Sequence, residues 1–166
     1  MSDYRAPALV CANGHLLTGD INAYPGLVHN FCPDCGAEAI RACPHCKTNI
    51  PGDHYYRESW TDQLEPAEQI TKAPRFCGQC GESFPWTTSA LEVARDLIPQ
   101  LELDAVDKDA LAESLPDLVR DTPKTRAATI RWSQLLRKGG GAAAGALRDV
   151  LINVVSEAVS KAIWGR

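Results

Sequence analysis

Cys32-Pro33-Asp34-Cys35-Gly36-Ala37-Glu38-Ala39-Ile40-Arg41-Ala42-Cys43-Pro44-His45-Cys46 holds two Cys-x-x-Cys pairs separated by seven residues. Outward from it, Cys77-Gly78-Gln79-Cys80 supplies a third pair, and Cys11-Ala12-Asn13-Gly14-His15 sets a histidine four positions after a cysteine. All seven cysteines lie in the first 80 of 166 residues. With His15 they make eight donors, enough for two four-coordinate ions. Thiolate and imidazole in tetrahedral sets are the donors zinc favours, and a Cys-x-x-Cys knuckle places two sulfurs on one side of a metal with little backbone strain. The expected cofactor is therefore Zn2+, two per chain, with metal ligands Cys11, His15, Cys32, Cys35, Cys43, Cys46, Cys77 and Cys80. Pro33 and Pro44 stiffen two knuckles, and Gly36 and Gly81 follow the second cysteine of two pairs, where a positive φ suits glycine. Lys47 stands at the third such position.

Other uses of the cysteines fit less well. An odd count, paired spacing and the lack of a signal-peptide pattern from Met1 point to a reducing compartment and metal ligation rather than disulfides. No βαβ pattern surrounds any pair, as a dithiol redox enzyme would require. His29, three residues before Cys32, is the substitute for His15. His45, inside a knuckle, is expected to face solvent, and His54 to be a hairpin residue. Spacing alone does not fix how the ligands share two ions. Consecutive pairing, Cys11/His15/Cys32/Cys35 and Cys43/Cys46/Cys77/Cys80, is preferred, with an interleaved cross-brace as the alternative.

The expected fold is α+β: an N-terminal tandem zinc ribbon of short β-hairpins followed by an α-helical C-terminal region. The divisions read as 1–86 for the double ribbon, 87–138 for a helical region, and 139–166 for a Gly-rich hinge and C-terminal amphipathic helix. Each ribbon is too small to bury a sufficient core without metal. Strands are expected over 21–27 and 53–60, with 63–74 as a polar loop and residues 36–42 as the strand that passes between ribbons. Trp86 marks the hydrophobic hinge into helix. Ser89 and Glu92 suggest a capping box, and Pro116 and Pro123 sit where the first turns of later helices would be. Residues 124–138 form a basic helix ended by Gly139-Gly140-Gly141. Beyond them Leu147, Val150, Leu151, Val154, Val155, Val159 and Ile163 share an apolar face, and Glu157 and Lys161 are spaced for an i,i+4 pair.

Charge follows the same division. Residues 1–90 carry 6 Lys+Arg against 10 Asp+Glu, residues 91–121 carry 3 against 9, and residues 122–166 carry 8 against 2. Four-thiolate and three-thiolate zinc sites each add net negative charge to the first part. A nucleic-acid reader offers a concentrated basic face, so binding through the ribbons is disfavoured. Polar groups recur through the last helix, which argues against a transmembrane segment, while peripheral membrane contact stays open.

The run Cys11-Ala12-Asn13-Gly14-His15, Phe31-Cys32-Pro33-Asp34-Cys35-Gly36, Cys43-Pro44-His45-Cys46 and Phe76-Cys77-Gly78-Gln79-Cys80-Gly81, ending in Phe84-Pro85-Trp86-Thr87, resembles an uncharacterised bacterial zinc-ribbon family, domain of unknown function 2321. The likeness continues through Leu115-Pro116-Asp117-Leu118 and Arg120-Asp121-Thr122-Pro123 to the terminal helix. It implies zinc binding and a bacterial cytoplasmic setting, with no established activity. Eight donors that close both sites, and no Ser/His/Asp or paired-carboxylate constellation, make an enzyme the least expected class. The leading expectation is a non-enzymatic adaptor whose helical tail docks to an unknown protein partner or a second copy as a homo-oligomer. The alternative is a regulatory nucleic-acid-associated protein using helix 124–138.

Overall fold

The computed structural model describes residues 3–57, 60, 63–139 and 141–165. The chain divides into two compact units, residues 1–86 and 87–166. Its class is α+β, with short antiparallel strands first and α-helices from Pro85 onward.

Among the described residues, six strands build the first unit: β1 (Asp3–Pro7), β2 (Leu9–Cys11), β3 (Leu16–Thr18), β4 (Ala39–Ile40), β5 (Pro51–Arg57) and β6 (Leu64–Glu68). They form two three-stranded sheets ordered β1-β5-β6 and β3-β2-β4. β1 and β2 are nearly one strand, interrupted at Ala8, so a single N-terminal run threads both sheets. The interruption comes from the pairing: Pro7 faces Pro51, neither has an N–H to give the ladder, and the register shifts there. Ala8 N–H restores the connection by donating to the Ile50 carbonyl at 2.9 Å. Ala6, Ala8, Val10 and Ile50 are fully buried where the sheets meet. The two ribbons therefore share a strand and a small core.

The structure corrects two strand expectations. Residues 21–27 are a turn followed by a 3-10 helix at Pro25–Leu27. The buried Asp20 carboxylate accepts from the Asn22 and Ala23 N–H groups at 2.8 and 3.0 Å, which bends the backbone away from an extended path. The expected loop over 63–74 instead contains β6, antiparallel to β5 with Tyr56 opposite Glu65. Pro66, Glu65 and Glu68 obscure it as a strand in the sequence, yet such residues suit an outer strand that has only one neighbour. The strand expected over 53–60 is β5; its residues 58 and 59 lie outside the described residues.

The helices are α1 (Pro85–Leu97), α2 (Ala105–Val119), α3 (Pro123–Gly139), α4 (Gly141–Leu151) and α5 (Glu157–Trp164). α1 starts at Pro85, four residues before the expected Ser89 cap, because proline at the first helical position has the right φ and no N–H to lose. α2 is capped by the Asp104 carboxylate, which accepts from Asp107 N–H at 2.8 Å. Pro116 falls in its last turn rather than opening a new helix, since the buried positions Leu111, Leu115, Leu118 and Val119 continue across it. Pro123 does open α3. Trp132, fully buried, fixes α3 to α2 through its indole N–H, which donates to Ser114 Oγ at 3.2 Å.

The expected terminal helix is two helices. Ser156 caps α5, its hydroxyl accepting from Val159 N–H at 3.3 Å, and the break lets the adjacent Val154 and Val155 both be buried. Glu157 and Lys161 make the expected pair at 2.7 Å. Gly139 is packed rather than hinged: a Cβ there would lie 2.1 Å from the Glu102 carbonyl oxygen, and its own carbonyl accepts from Glu102 N–H at 2.9 Å. Gly140 lies outside the described residues.

Asp20 has a second role in holding β5. Desolvation and the hydrogen bond to the Asp20 carboxylate push the Tyr55 phenol up to about 12. The fold keeps this proton at a pH where the unfolded chain releases it. Its contribution to stability is thus intact below the ordinary tyrosine value of about 10 and is lost as pH rises toward about 12. Phenolate absorbance against pH should show one late-titrating tyrosine. Asp20→Asn should bring it back toward the ordinary value and lower the urea midpoint.

Candidate metal centres

The three Cys-x-x-Cys segments fold as one repeated backbone unit. In each, the first cysteine N–H donates to the carbonyl five residues on: Cys32 to Ala37, Cys43 to Thr48 and Cys77 to Glu82, all at 2.8 Å. In each, the N–H four residues after that cysteine returns to its carbonyl, from Gly36, Lys47 and Gly81 at 2.8, 2.9 and 2.9 Å. An antiparallel bridge then closes each loop: Phe31 with Glu38, Ala42 with Asn49, Phe76 with Ser83. The returning residue has φ of 70°, 64° and 76° at Gly36, Lys47 and Gly81. Lys47 thus adopts a left-handed conformation despite its side chain, whose Nζ donates to the Pro44 carbonyl at 2.7 Å.

These turns bring the predicted donors together in two sets. Cys11, His15, Cys32 and Cys35 form one, Cys43, Cys46, Cys77 and Cys80 the other, with donor atoms within 4.8 Å of one another in each. The grouping is consecutive. Among the described residues His29 joins neither set, His45 is exposed within its knuckle, and His54 lies on β5 with Nε2 3.7 Å from an Asp3 carboxylate oxygen.

Donor spacing provides a test of metal fit. A tetrahedral ion with metal–sulfur bonds of about 2.3 Å has sulfur–sulfur edges of about 3.8 Å, and a sulfur–nitrogen edge of about 3.6 Å. The observed edges are 3.7 Å for Cys11–Cys35, 3.8 Å for Cys43–Cys80, 3.6 Å for Cys46–Cys77 and 3.5 Å for Cys32 Sγ to His15 Nδ1. A disulfide would need about 2.05 Å. Both sets therefore have the dimensions to hold a metal ion.

Ionisation supports the same conclusion. The Thr48 hydroxyl, 3.4 Å from Cys46 Sγ, and the Thr48 N–H lower that thiol to about 6. The Ala37 N–H does the same for Cys35, aided by the Asn13 amide at 3.5 Å, again to about 6. At Cys80 the Glu82 N–H also favours thiolate, but desolvation and the three neighbouring thiols outweigh it and push the group up to about 12. Four thiols at these distances cannot all ionise without a cation among them, and a divalent ion removes that conflict. Asn13 and Thr48 were not singled out by sequence. Thr48 carries a positional signal, two residues beyond Cys46, where its side chain turns back on that sulfur, whereas Asn13 reaches Cys35, 22 positions away, and has none.

Metal analysis of protein purified without added metal should give about two equivalents, and Cys43→Ser should lower this toward one. His15→Ala should loosen the first set alone. The repeated turn also predicts opposite effects for similar changes. Gly36→Ala and Gly81→Ala meet nothing within 4 Å, so only left-handed strain of about 1–2 kcal/mol is added. Lys47→Gly removes such strain. Competition titration with a chelator should find weaker metal binding in the first two variants and unchanged or tighter binding in the third.

No curated protein and no solved structure matches the chain. A family model does, over residues 4–163, and so takes in both donor sets and the helices. The chain belongs to this family, domain of unknown function 2321, described as an uncharacterized protein conserved in bacteria.

Proposed function

We propose that the protein is a zinc-binding, non-enzymatic interaction or adaptor module, in which two structural zinc ions hold the ribbons and the helical unit docks to a partner. One observation carries this reading: all eight donors are used in two complete four-donor sets. Catalytic zinc keeps a position for water or substrate, whereas a closed set of four cysteines, or of three cysteines and a histidine, leaves none. Zinc is the ion that best suits such tetrahedral sulfur and nitrogen donors in a reducing compartment. The ions would supply folding energy that the small shared core of Ala6, Ala8, Val10 and Ile50 does not.

Four cations of α3, which have no carboxylate partner among the described residues, sustain a second reading, a regulatory nucleic-acid-associated protein. Lys124 and Arg131 lie on one flank of the helix and Arg126 and Arg137 on the other, so they do not form the single concentrated face that phosphate tracking favours. No described helix is long and apolar enough to cross a membrane.

Cobalt substitution tests the closed-site reading. Two equivalents of Co2+ should give the intense visible bands of tetrahedral thiolate coordination, unchanged by azide or cyanide. A band shift on adding either anion would reveal an open position and favour catalysis. Salt-dependent retardation of duplex DNA or RNA would favour the second reading.

A further inference from the structure

α3 carries five Lys or Arg in 17 residues and no Asp or Glu. Lys138 is paired with Asp104 and Asp107 of the α2 N-terminal turn. Among the described residues, Lys124, Arg126, Arg131 and Arg137 have no carboxylate partner, and all four are exposed. A protein with net charge −4 thus keeps four cations of one helix without a carboxylate partner among the described residues.

Arg126 also borders a groove of about 430 Å³ between α3 and α5. The apolar part of its lining comes from Ile130, Ala158, Val159 and Ala162, and Ile130 is 52% exposed. Ala158 and Ala162 are one turn apart on α5, small enough for another helix to approach closely. Asp121 supplies a carboxylate in the lining, just before the start of α3, opposite in sign to Arg126.

Three kinds of occupant differ in what they need. An anionic bilayer is held by large apolar anchors such as Trp, Phe and Leu beside the cations, and the groove offers one isoleucine, one valine and alanines. A nucleic acid would engage the cations and leave the apolar lining uncovered. An amphipathic helix with carboxylates beside its apolar stripe satisfies both features.

We propose that the α3–α5 groove is the docking site for an acidic amphipathic helix of a partner protein, with its apolar stripe over Ile130, Ala158 and Ala162 and its carboxylates facing Arg126. This rests on the adaptor reading and names the chemistry of its partner.

The test uses the full-length, metal-loaded protein and a labelled synthetic helix of about 18 residues, or five turns, with leucine on one face and glutamate on the other. A twin with lysine for glutamate and a scrambled acidic peptide serve as controls. Fluorescence anisotropy should show binding of the acidic amphipathic peptide that weakens with salt. Arg126→Glu should weaken it about tenfold, as charge reversal at an interface does. Ala162→Trp, at an exposed position, should fill the groove and weaken it similarly, with metal content and helicity unchanged in both variants. Equal binding of the lysine twin, indifference to both substitutions, or no binding of the acidic peptide at low salt would overturn the proposal. So would Arg126-dependent binding to phosphatidylglycerol vesicles or duplex DNA instead of peptide, or a dimer abolished by Ala162→Trp. Closed cobalt spectra alongside any of these results would leave the structural-zinc reading standing and remove only the groove assignment.

Discussion

Closure of the two four-donor sets is the constraint on which the first unit depends. From Asp3 to Cys80 the described residues make three knuckles and two small sheets, and most side chains outside the donor sets are exposed or half-buried. Such a segment has too little apolar burial to offset the entropy of ordering its loops. Each metal ion would join two segments distant in sequence, Cys11/His15 to Cys32/Cys35 and Cys43/Cys46 to Cys77/Cys80. Without the cation, the same proximity becomes a crowd of thiols whose ionisations oppose one another.

Backbone hydrogen bonds prepare that closure. The i to i+5 and i+4 to i pattern recurs in all three knuckles and directs N–H groups at the second cysteine's sulfur, from Ala37, Thr48 and Glu82. The β1–β2 run then passes through both sheets. β2 ends at Cys11, a donor of the first set, while β1 pairs with β5, which follows the knuckle of Cys43 and Cys46.

The candidate site was the most legible part of the sequence because tetrahedral coordination leaves a direct trace in spacing. Two residues between cysteines suit a knuckle, and a glycine after the pair supplies the positive φ that ends it. Long-range pairing leaves no such trace. Nothing in Asp3–Cys11 announces a strand divided between two sheets, because its division arises from Pro7 meeting Pro51, 44 positions away. Residues 21–27 look extended from their apolar content, but Asp20 captures their N–H groups. In the helical region, Pro116 suggests a start and marks an end, since burial of Leu115 and Leu118 prevails over the lost hydrogen bond. Val154 and Val155 fit an apolar stripe equally well in one helix or two, and Ser156, whose hydroxyl caps α5, decides between them.

Loading the two donor sets with the NMR-active isotope of cadmium would allow scalar coupling from each ion to the Hβ protons of its own cysteines. Two cadmium resonances are expected, one coupled to Cys11, Cys32 and Cys35 and to the His15 ring, the other to Cys43, Cys46, Cys77 and Cys80. A single resonance, or one ion coupled to cysteines from both sets, would contradict the two closed, consecutive sites on which the fold is built.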